Sequence, residues 1–395
     1  MTCVLITAVE ASGDALGANL MQALRRKLGE EARFIGIGGP LMREQGLISA
    51  FDIRELSIVG LVDGLLAFGR AARRADQLAA MAERERPDIA VLIDSWGFNY
   101  LLAKRLRRRL PRLPLVKYVA PQVWATRPER AKALAKTFDH LLSIVAFEVP
   151  IFEAAGAPTT FVGHPGLGHD LAHADPVRLR RRIGAAPDDP ILLVLPGSRP
   201  AEIERLAPPF EEAIGILKAQ RPALQVVVVL APTVADEVRR RVAAWGFRAH
   251  LIDDVTGRDD AMVAADVALA CSGTVTTELA AAGCPMVVAY RLGPVTYRIA
   301  KRIVRTRYIT LFNIAADAAV APELIQDACT GPNLARELAL RLDNPRLRAE
   351  QARAQTKALE TLGASGAQPG ERAAEVVAGL LAGEPGAPQG AAMNR

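Results

Sequence analysis

The chain has 395 residues, half of them hydrophobic and 23% charged, and its lysines and arginines outnumber its acidic residues for a formal net charge of +6. That length leaves room for two domains with ample cores, and an even spread of glycine and proline excludes a fibrous or low-complexity chain. No apolar run reaches the ~20 residues that span a bilayer, and the opening stretch lacks the basic region and cleavage site of a signal peptide, which points to the cytoplasm.

Cys3 to Val9 reads as a first strand, Glu10-Ala-Ser-Gly-Asp14 as a polar glycine turn, and Ala15 to Leu28 as a helix with Leu16, Leu20, Ala23 and Leu24 on its apolar face. Phe34 to Ile37 is the second expected strand, closed by Gly38-Gly39-Pro40, and Asp63 to Glu83 is helical. Ile89 to Ile93 is a continuous apolar strand that runs into Asp94-Ser-Trp-Gly-Phe-Asn99. Strands at Leu115 to Val119, Leu141 to Val145 and Thr160 to Val162 complete a βα alternation, the pattern of a parallel sheet.

The pattern pauses between His164 and Asp175 and restarts with a basic helix, so a linker is expected there, with one domain over 1–168 and a second over 175–344. The second half alternates again, with strands near 191–195, 225–230, 249–252, 267–270 and 286–289. Two of its turns carry chemistry. Ile191 to Leu195 breaks at Pro196-Gly197-Ser198-Arg199 before a helix: Gly197 lets the backbone approach a ligand, free helix N–H groups would point at it, and Arg199 adds a forked cation. The strand ending at Cys271 runs into Ser272-Gly273-Thr274 and a second helix, with Glu278 in its first turns placed to reach a ribose hydroxyl. Read alone, each turn is also an ordinary capped helix start. Together they argue for a nucleoside-diphosphate site at the carboxyl ends of the strands. The expected fold is α/β, with two Rossmann-like, doubly wound parallel-sheet domains facing each other across a cleft. From Asp343 the chain is helical and polar, and 382–395 reads as a frayed, disordered tail.

Four cysteines, Cys3, Cys271, Cys284 and Cys329, lie in or beside apolar segments without CxxC spacing, and the five histidines do not cluster. Buried thiols are expected, and neither a disulfide nor a metal site. Basic residues crowd three segments: Lys104 to Lys117, Arg178 to Arg182, and Arg298 to Arg307. No nucleic-acid motif accompanies them, so nucleic acid is not expected as a partner. The third, interleaved with Tyr297, Ile299, Ile303 and Val304, has the pattern of an interfacial amphipathic helix.

Several of these stretches are similar to one known family. Glu10-Ala-Ser-Gly-Asp14, Gly36-Ile-Gly-Gly-Pro-Leu-Met42, Tyr118-Val-Ala-Pro-Gln-Val-Trp124, Phe161-Val-Gly-His164, Leu195-Pro-Gly-Ser-Arg199, and Cys271-Ser-Gly-Thr274 with Glu278 resemble the lipid-A-disaccharide synthase family. Met286-Val-Val-Ala-Tyr-Arg291, Asn313 and Pro322-Glu-Leu-Ile-Gln326 extend the resemblance over about residues 3 to 345. It implies the GT-B fold, with the last helix, here within 345–381, crossing back onto the first domain. It implies an inverting transfer of 2,3-diacylglucosamine from its UDP donor to 2,3-diacylglucosamine 1-phosphate, forming a β-1,6 link and releasing UDP. No cofactor is implied, and the place of action would be the cytoplasmic face of the inner membrane of a Gram-negative bacterium. UDP would contact Gly197, Ser198, Arg199, Ser272, Gly273, Thr274, Glu278 and Asn313, while Glu10, Ser12, Gly13, Asn99, Gln122 and His164 would line the acceptor side, His164 as a wall or hinge rather than a base. Ile58 to Val62 with Leu65, Leu66 and Phe68 would hold acyl chains, or else form a core helix. A homodimer is left open.

The chain departs from the family at one chemically important place. Where the family proposes an Asp as base, two residues before the Asn of an IDxPDFN-type segment, this chain has Gly97, with Trp96 in place of Pro. Inversion needs a base within reach of the acceptor hydroxyl. The replacements considered are Asp94, Asp63 and Asp14, in that order, each of which could also be structural. Two alternatives to transfer stay open: another reaction on a UDP-sugar, such as epimerisation, and a relative that binds UDP-sugar or lipid without chemistry.

Overall fold

A computed structural model describes residues 2–53, 64–165, 171–304, 306–363 and 368–383. The described chain divides into two units, one of residues 1–165 with 365–395 and one of residues 166–364.

In the first unit the apolar runs form β1 (Cys3–Thr7), β2 (Arg33–Ile37), β3 (Ile48–Ser49), β4 (Ile89–Ile93), β5 (Leu115–Tyr118), β6 (His140–Ser143) and β7 (Thr159–Phe161), a sheet in the order β3-β2-β1-β4-β5-β6-β7. Every pairing is parallel. β1 and β4 are buried at every position, as continuous apolar strands covered on both faces must be. The helix Ala11–Leu28 starts inside the stretch expected to be a glycine turn. Gly13, in its first turn, packs beside the strand end, where a Cβ would be in ordinary contact with the Cβ of Ala8 at 3.4 Å.

The helix Pro369–Leu381 completes this unit. Ala373, Ala374 and Val377 are buried in the same cluster as Leu16, Leu20 and Leu24 of helix Ala11–Leu28. Gly370 lets the two backbones approach, since a Cβ there would sit 3.2 Å from the Asn19 carbonyl oxygen. Arg26 with Glu371 and Lys27 with Glu375 add exposed ion pairs.

The second unit holds β8 (Ile191–Leu195), β9 (Gln225–Val229), β10 (His250–Ile252), β11 (Val267–Cys271), β12 (Met286–Tyr290) and β13 (Glu323–Ile325), in the order β10-β9-β8-β11-β12-β13 and again all parallel. It runs past the boundary expected at 344. The helix Pro345–Thr361 stays with it because Gln351 and Gln355 are buried and donate to the carbonyls of Met286 (2.8 Å) and Cys284 (2.9 Å). β3 and β13, at two and three residues, are too short for a periodic signal and were not expected. All four cysteines are buried and unpaired. Residues 384–395, within the tail read from the sequence, lie outside the described residues.

Gly36, inside β2, has φ +137°, and a Cβ there would lie 2.0 Å from the Ile6 carbonyl oxygen of the neighbouring strand. Gly36→Ala is expected to destabilise the first unit by about 3 kcal/mol or more, combining backbone strain with a clash in a close-packed sheet. Urea denaturation checks this, and an unchanged midpoint would contradict it.

Candidate functional site

In each sheet the strand order reverses once, between β1 and β4 and between β8 and β11. Beyond the carboxyl ends of those strands lies the crevice in which doubly wound folds bind ligands.

In the second unit, both chemically suggestive turns flank the reversal. β8 and β11 pair up to Leu195 and Ala270, so Pro196–Arg199 and Ser272–Gly273 leave the sheet side by side. They border a cavity of about 430 Å³, whose wall includes Arg199, Arg258, Ser272, Gly273, Thr274 and Glu278. The two helix starts differ. At the first, the Glu202 carboxylate accepts from the backbone N–H groups of Ser198 (3.0 Å) and Arg199 (3.2 Å). Those N–H groups, expected to face a ligand, are taken by the Glu202 side chain folding back on its own helix start. Gly197 is required here, with φ +122° and a would-be Cβ 2.7 Å from the Glu202 carboxylate. The Arg199 guanidinium, 73% exposed, makes only an i,i+3 contact with Glu202 among the described residues, a pairing too weak to hold it from a ligand.

At the second turn no side chain among the described residues caps the helix Thr274–Ala281. Thr274 and Val275, its first two residues, line the pocket, so the positive end of its dipole borders it, the arrangement that receives a phosphate. Glu278 follows Thr274 by four residues, hence on the same helix face. Its carboxylate lies 3.8 Å from the Arg258 guanidinium. Asn313 is different. It is fully buried, donates to the Ala321 carbonyl (2.8 Å) and to Glu323 (2.8 Å), and accepts from the Ala321 N–H (3.0 Å). Its side chain braces the segment leading to β13, a correction to its expected place against UDP.

In the first unit, the edge beyond β1, β4 and β5 carries the residues expected to meet an acceptor. Ser12 is exposed in the first turn of its helix, Glu10 is exposed at the N-cap, and Gln122 is exposed after β5. Asp14 is 2% exposed and accepts from the N–H groups of Gly39 (2.8 Å), Leu41 (3.0 Å) and Met42 (3.1 Å). It caps the short helix Pro40–Glu44, so its lone pairs are committed and it is not placed to act as a base. Asn99 is likewise internal: fully buried, it donates to the carbonyls of Ile93 and Asp94 and accepts from Thr7 Oγ1 at 2.9 Å. That bridge links the ends of β1 and β4; it is not a contact surface. His164 is buried, and burial pushes its pKa down to about 4, so it is neutral near pH 7. Asp63 lies outside the described residues, as do Ile58 to Val62; the side chains of Leu65, Leu66 and Phe68 are likewise not described.

Asp94 remains at the crevice. It follows the last residue of β4, is half-buried, and its carboxylate accepts no hydrogen bond among the described residues. Beside it, Trp96 stacks on Tyr100 (4.7 Å between ring centroids), with Arg130 over the indole and Lys104 over the phenol ring. Gly97 is exposed, and a Cβ there would meet nothing within 4 Å.

Two buried ionisable groups at this edge were not anticipated. Lys117, counted from the sequence in a surface basic patch, is 1% exposed. Its signal was a lysine inside an otherwise apolar strand. Glu148 is 2% exposed, accepting from Trp124 Nε1 (2.6 Å) and Ser143 Oγ (2.9 Å), and burial pushes its pKa up to about 7. The basic patches also sort themselves. Arg105, Arg107 and Arg109 pair with Asp76, Asp139 and Glu83, and Arg178 and Arg182 pair with Asp260 and Asp254. In the third patch Arg298, Lys301 and Arg302, on the helix Pro294–Ile303, and Arg307 beyond it are exposed with no ion-pair partner among the described residues. Among the described residues no three His, Cys, Asp or Glu side chains gather as a metal site, and no helix is long and apolar enough to cross a membrane.

Two parallel, doubly wound units, each with a crevice at its strand reversal, define the GT-B class of glycosyltransferases and related enzymes. Solved structures of that fold include the UDP co-structure of MnaA from S. aureus (TM-score 0.64, 13% identity, 97% of each chain covered) and CalG4, the calicheamicin glycosyltransferase (0.58, 18%, 97% of this chain and 98% of that one). At such identities the likeness is one of fold alone. The chain belongs to the lipid-A-disaccharide synthetase family, whose model matches residues 4–377, and it is a glycosyltransferase. It is 43% identical to the lipid-A-disaccharide synthase of Rhodospirillum centenum, over 96% of this chain and 94% of that one. It is also 43% identical to that of Paramagnetospirillum magneticum, over 95% and 96%.

Glu148 makes a pH prediction. Its folded pKa is raised, so its contribution to stability is full below about pH 4.5 and is lost as pH rises through about 7. Glu148→Gln is expected to flatten that decline, measured as urea midpoints at pH 5 and pH 8. Equal slopes in the two proteins would contradict the assignment.

Proposed function

We propose that the chain transfers 2,3-diacylglucosamine from its UDP donor to 2,3-diacylglucosamine 1-phosphate, with inversion, forming a β-1,6 link and releasing UDP. The observation that carries this reading is the second-unit pocket, where exposed Arg199 and the uncapped start of helix Thr274–Ala281 meet at the strand reversal in a chain of this family. The acceptor hydroxyl gives its proton to a base as its oxygen attacks the anomeric carbon. The bond from that carbon to the diphosphate breaks on the opposite face, and negative charge grows on the leaving UDP. The helix N–H groups are donors fixed in advance for that charge, and the exposed Arg199 guanidinium closes on it when UDP binds. Glu278, one helical turn further along, takes the ribose hydroxyls.

Asp94 is the base in this reading. It stands at the β4 end with its carboxylate free of hydrogen bonds among the described residues, whereas Asp14 is locked as a cap. The open space at Gly97 supports a pocket that lost the family's carboxylate without collapsing around the loss. Exposed Arg298, Lys301 and Arg302 support peripheral attachment to an anionic inner-membrane surface at its cytoplasmic face, where both lipid substrates reside.

A transfer assay with both substrates and EDTA tests the reading. Disaccharide forms in the wild type, Asp94→Asn lowers kcat by about 10²-fold or more, Arg199→Ala by a comparable ~10²-fold, and Gly97→Asp changes the rate by less than about 3-fold because Asp94 already serves. Wild-type rates from Asp94→Asn would reject that base. UDP release without disaccharide, or conversion of UDP-N-acetylglucosamine instead, would reject transfer to lipid.

Co-sedimentation with vesicles tests the membrane reading. Binding should require anionic lipid, weaken with salt, and fall about tenfold or more when Arg298, Lys301 and Arg302 are all replaced by Ala, at about 1 kcal/mol per basic residue. Binding indifferent to lipid charge would reject it.

A further inference from the structure

The proposed base sits on strained backbone. Asp94 and Ser95, which lead from β4 into the helix Trp96–Arg109, have φ +49° and +35°, and Val119, at the matching end of β5, has φ +71°. None is glycine, and left-handed backbone is most costly for a β-branched residue such as valine. Such strain persists only where the surroundings over-determine it. Here the surroundings converge on one group. Lys117, on β5, is buried with its ammonium donating to the carbonyls of Leu92 (3.2 Å), Tyr118 (3.3 Å) and Asp94. The Tyr118 carbonyl also accepts the Asp94 N–H at 2.8 Å, which ties the two strand ends at the same point.

We propose that Lys117 is a positioning residue, whose ammonium gathers these three carbonyls and thereby holds the strained Asp94–Ser95 and Val119 backbone in the form that presents the Asp94 carboxylate. The proposal rests on Asp94 serving as the base of the transfer described above. Packing alone does not account for a lysine at this position, since a methionine of similar volume would fill it without desolvating a charge. Nor does Lys117 act on substrate, being 1% exposed. Burial lowers its pKa to about 7, opposed by Asp94, the one charged group that raises it. An ammonium supplies three donors for the three acceptors; a neutral amine supplies two.

The experiment is hydrogen exchange, read as protection factors, on the wild type, Lys117→Met, Ser95→Gly and the double variant. Calorimetric UDP binding to the second unit serves as the control for fold, and transfer kcat is measured in parallel. Lys117→Met is expected to lower protection over 94–99 and 119–120 by about tenfold or more, the effect of leaving even one buried acceptor unpaired. kcat falls with it, while UDP affinity, which the second unit's own residues supply, stays within about twofold. Ser95→Gly, which removes strain without touching Lys117, should restore part of both losses in the double variant. Should Lys117→Met fail to fold, the wild type carries the test: protection in the same two segments should drop between pH 6 and pH 9 as the ammonium loses its proton, and elsewhere hold. Unchanged protection at 94–99 in the folded variant, or across that pH range in the wild type, overturns the proposal. A wild type that makes no disaccharide yet shows the local loss overturns the transfer reading and leaves the clamp standing.

Discussion

Parallel pairing where the strand order reverses is the constraint from which both sites follow. In a parallel sheet every strand ends on the same edge, and every following helix starts there, bringing unpaired N–H groups with it. At β1–β4 and β8–β11 the helices diverge to opposite faces and leave that edge uncovered. One geometry yields two chemistries because different residues arrive at it. The second unit brings Arg199 and an uncapped helix start, a place for negative charge. The first brings Asp94, with a buried ammonium beneath it.

Much of what distinguishes these loops in sequence turns out to hold them rather than to meet a ligand. Asp14, Asn99, Glu202 and Asn313 each spend their side chains on backbone groups of neighbouring turns. A buried N–H or carbonyl left unpaired costs about 1–3 kcal/mol, so a loop beyond a sheet edge needs such internal partners to hold one shape. A site of fixed geometry therefore carries two sets of constrained residues, those facing the ligand and those bracing them. The second set looks as distinctive as the first when only the residue types are visible.

The charge distribution follows the same division. Arg105, Arg107, Arg109, Arg178 and Arg182 are met in space by aspartates and glutamates from other segments, which weakens the first two patches as anion-attracting surfaces. The exposed cations at 298–302 keep no such partner among the described residues and hold their field toward solvent. Formal charge summed along the chain could not separate these cases, because partners lie tens of residues away.

The architecture was legible in the sequence. Continuous apolar runs of four or five residues separated by helical periodicity admit only a parallel sheet with both faces covered, and the two helix-start turns followed from their glycines. The edge strands Ile48–Ser49 and Glu323–Ile325 escaped because two or three half-exposed residues have no period. Which motif residues face the crevice was decided only in the folded chain. Asp14 and Asp94 are the same side chain at similar places after a strand, yet Asp14 meets three backbone N–H groups from a segment about 25 residues on and Asp94 none among the described residues. Lys117 shows the same limit from the other side: its charge was plain in the sequence, but its burial against three converging carbonyls exists only once β4 and β5 lie side by side. Periodicity is a local property and survives in one dimension; hydrogen-bond satisfaction is a property of neighbours in space, and only the tertiary structure supplies them.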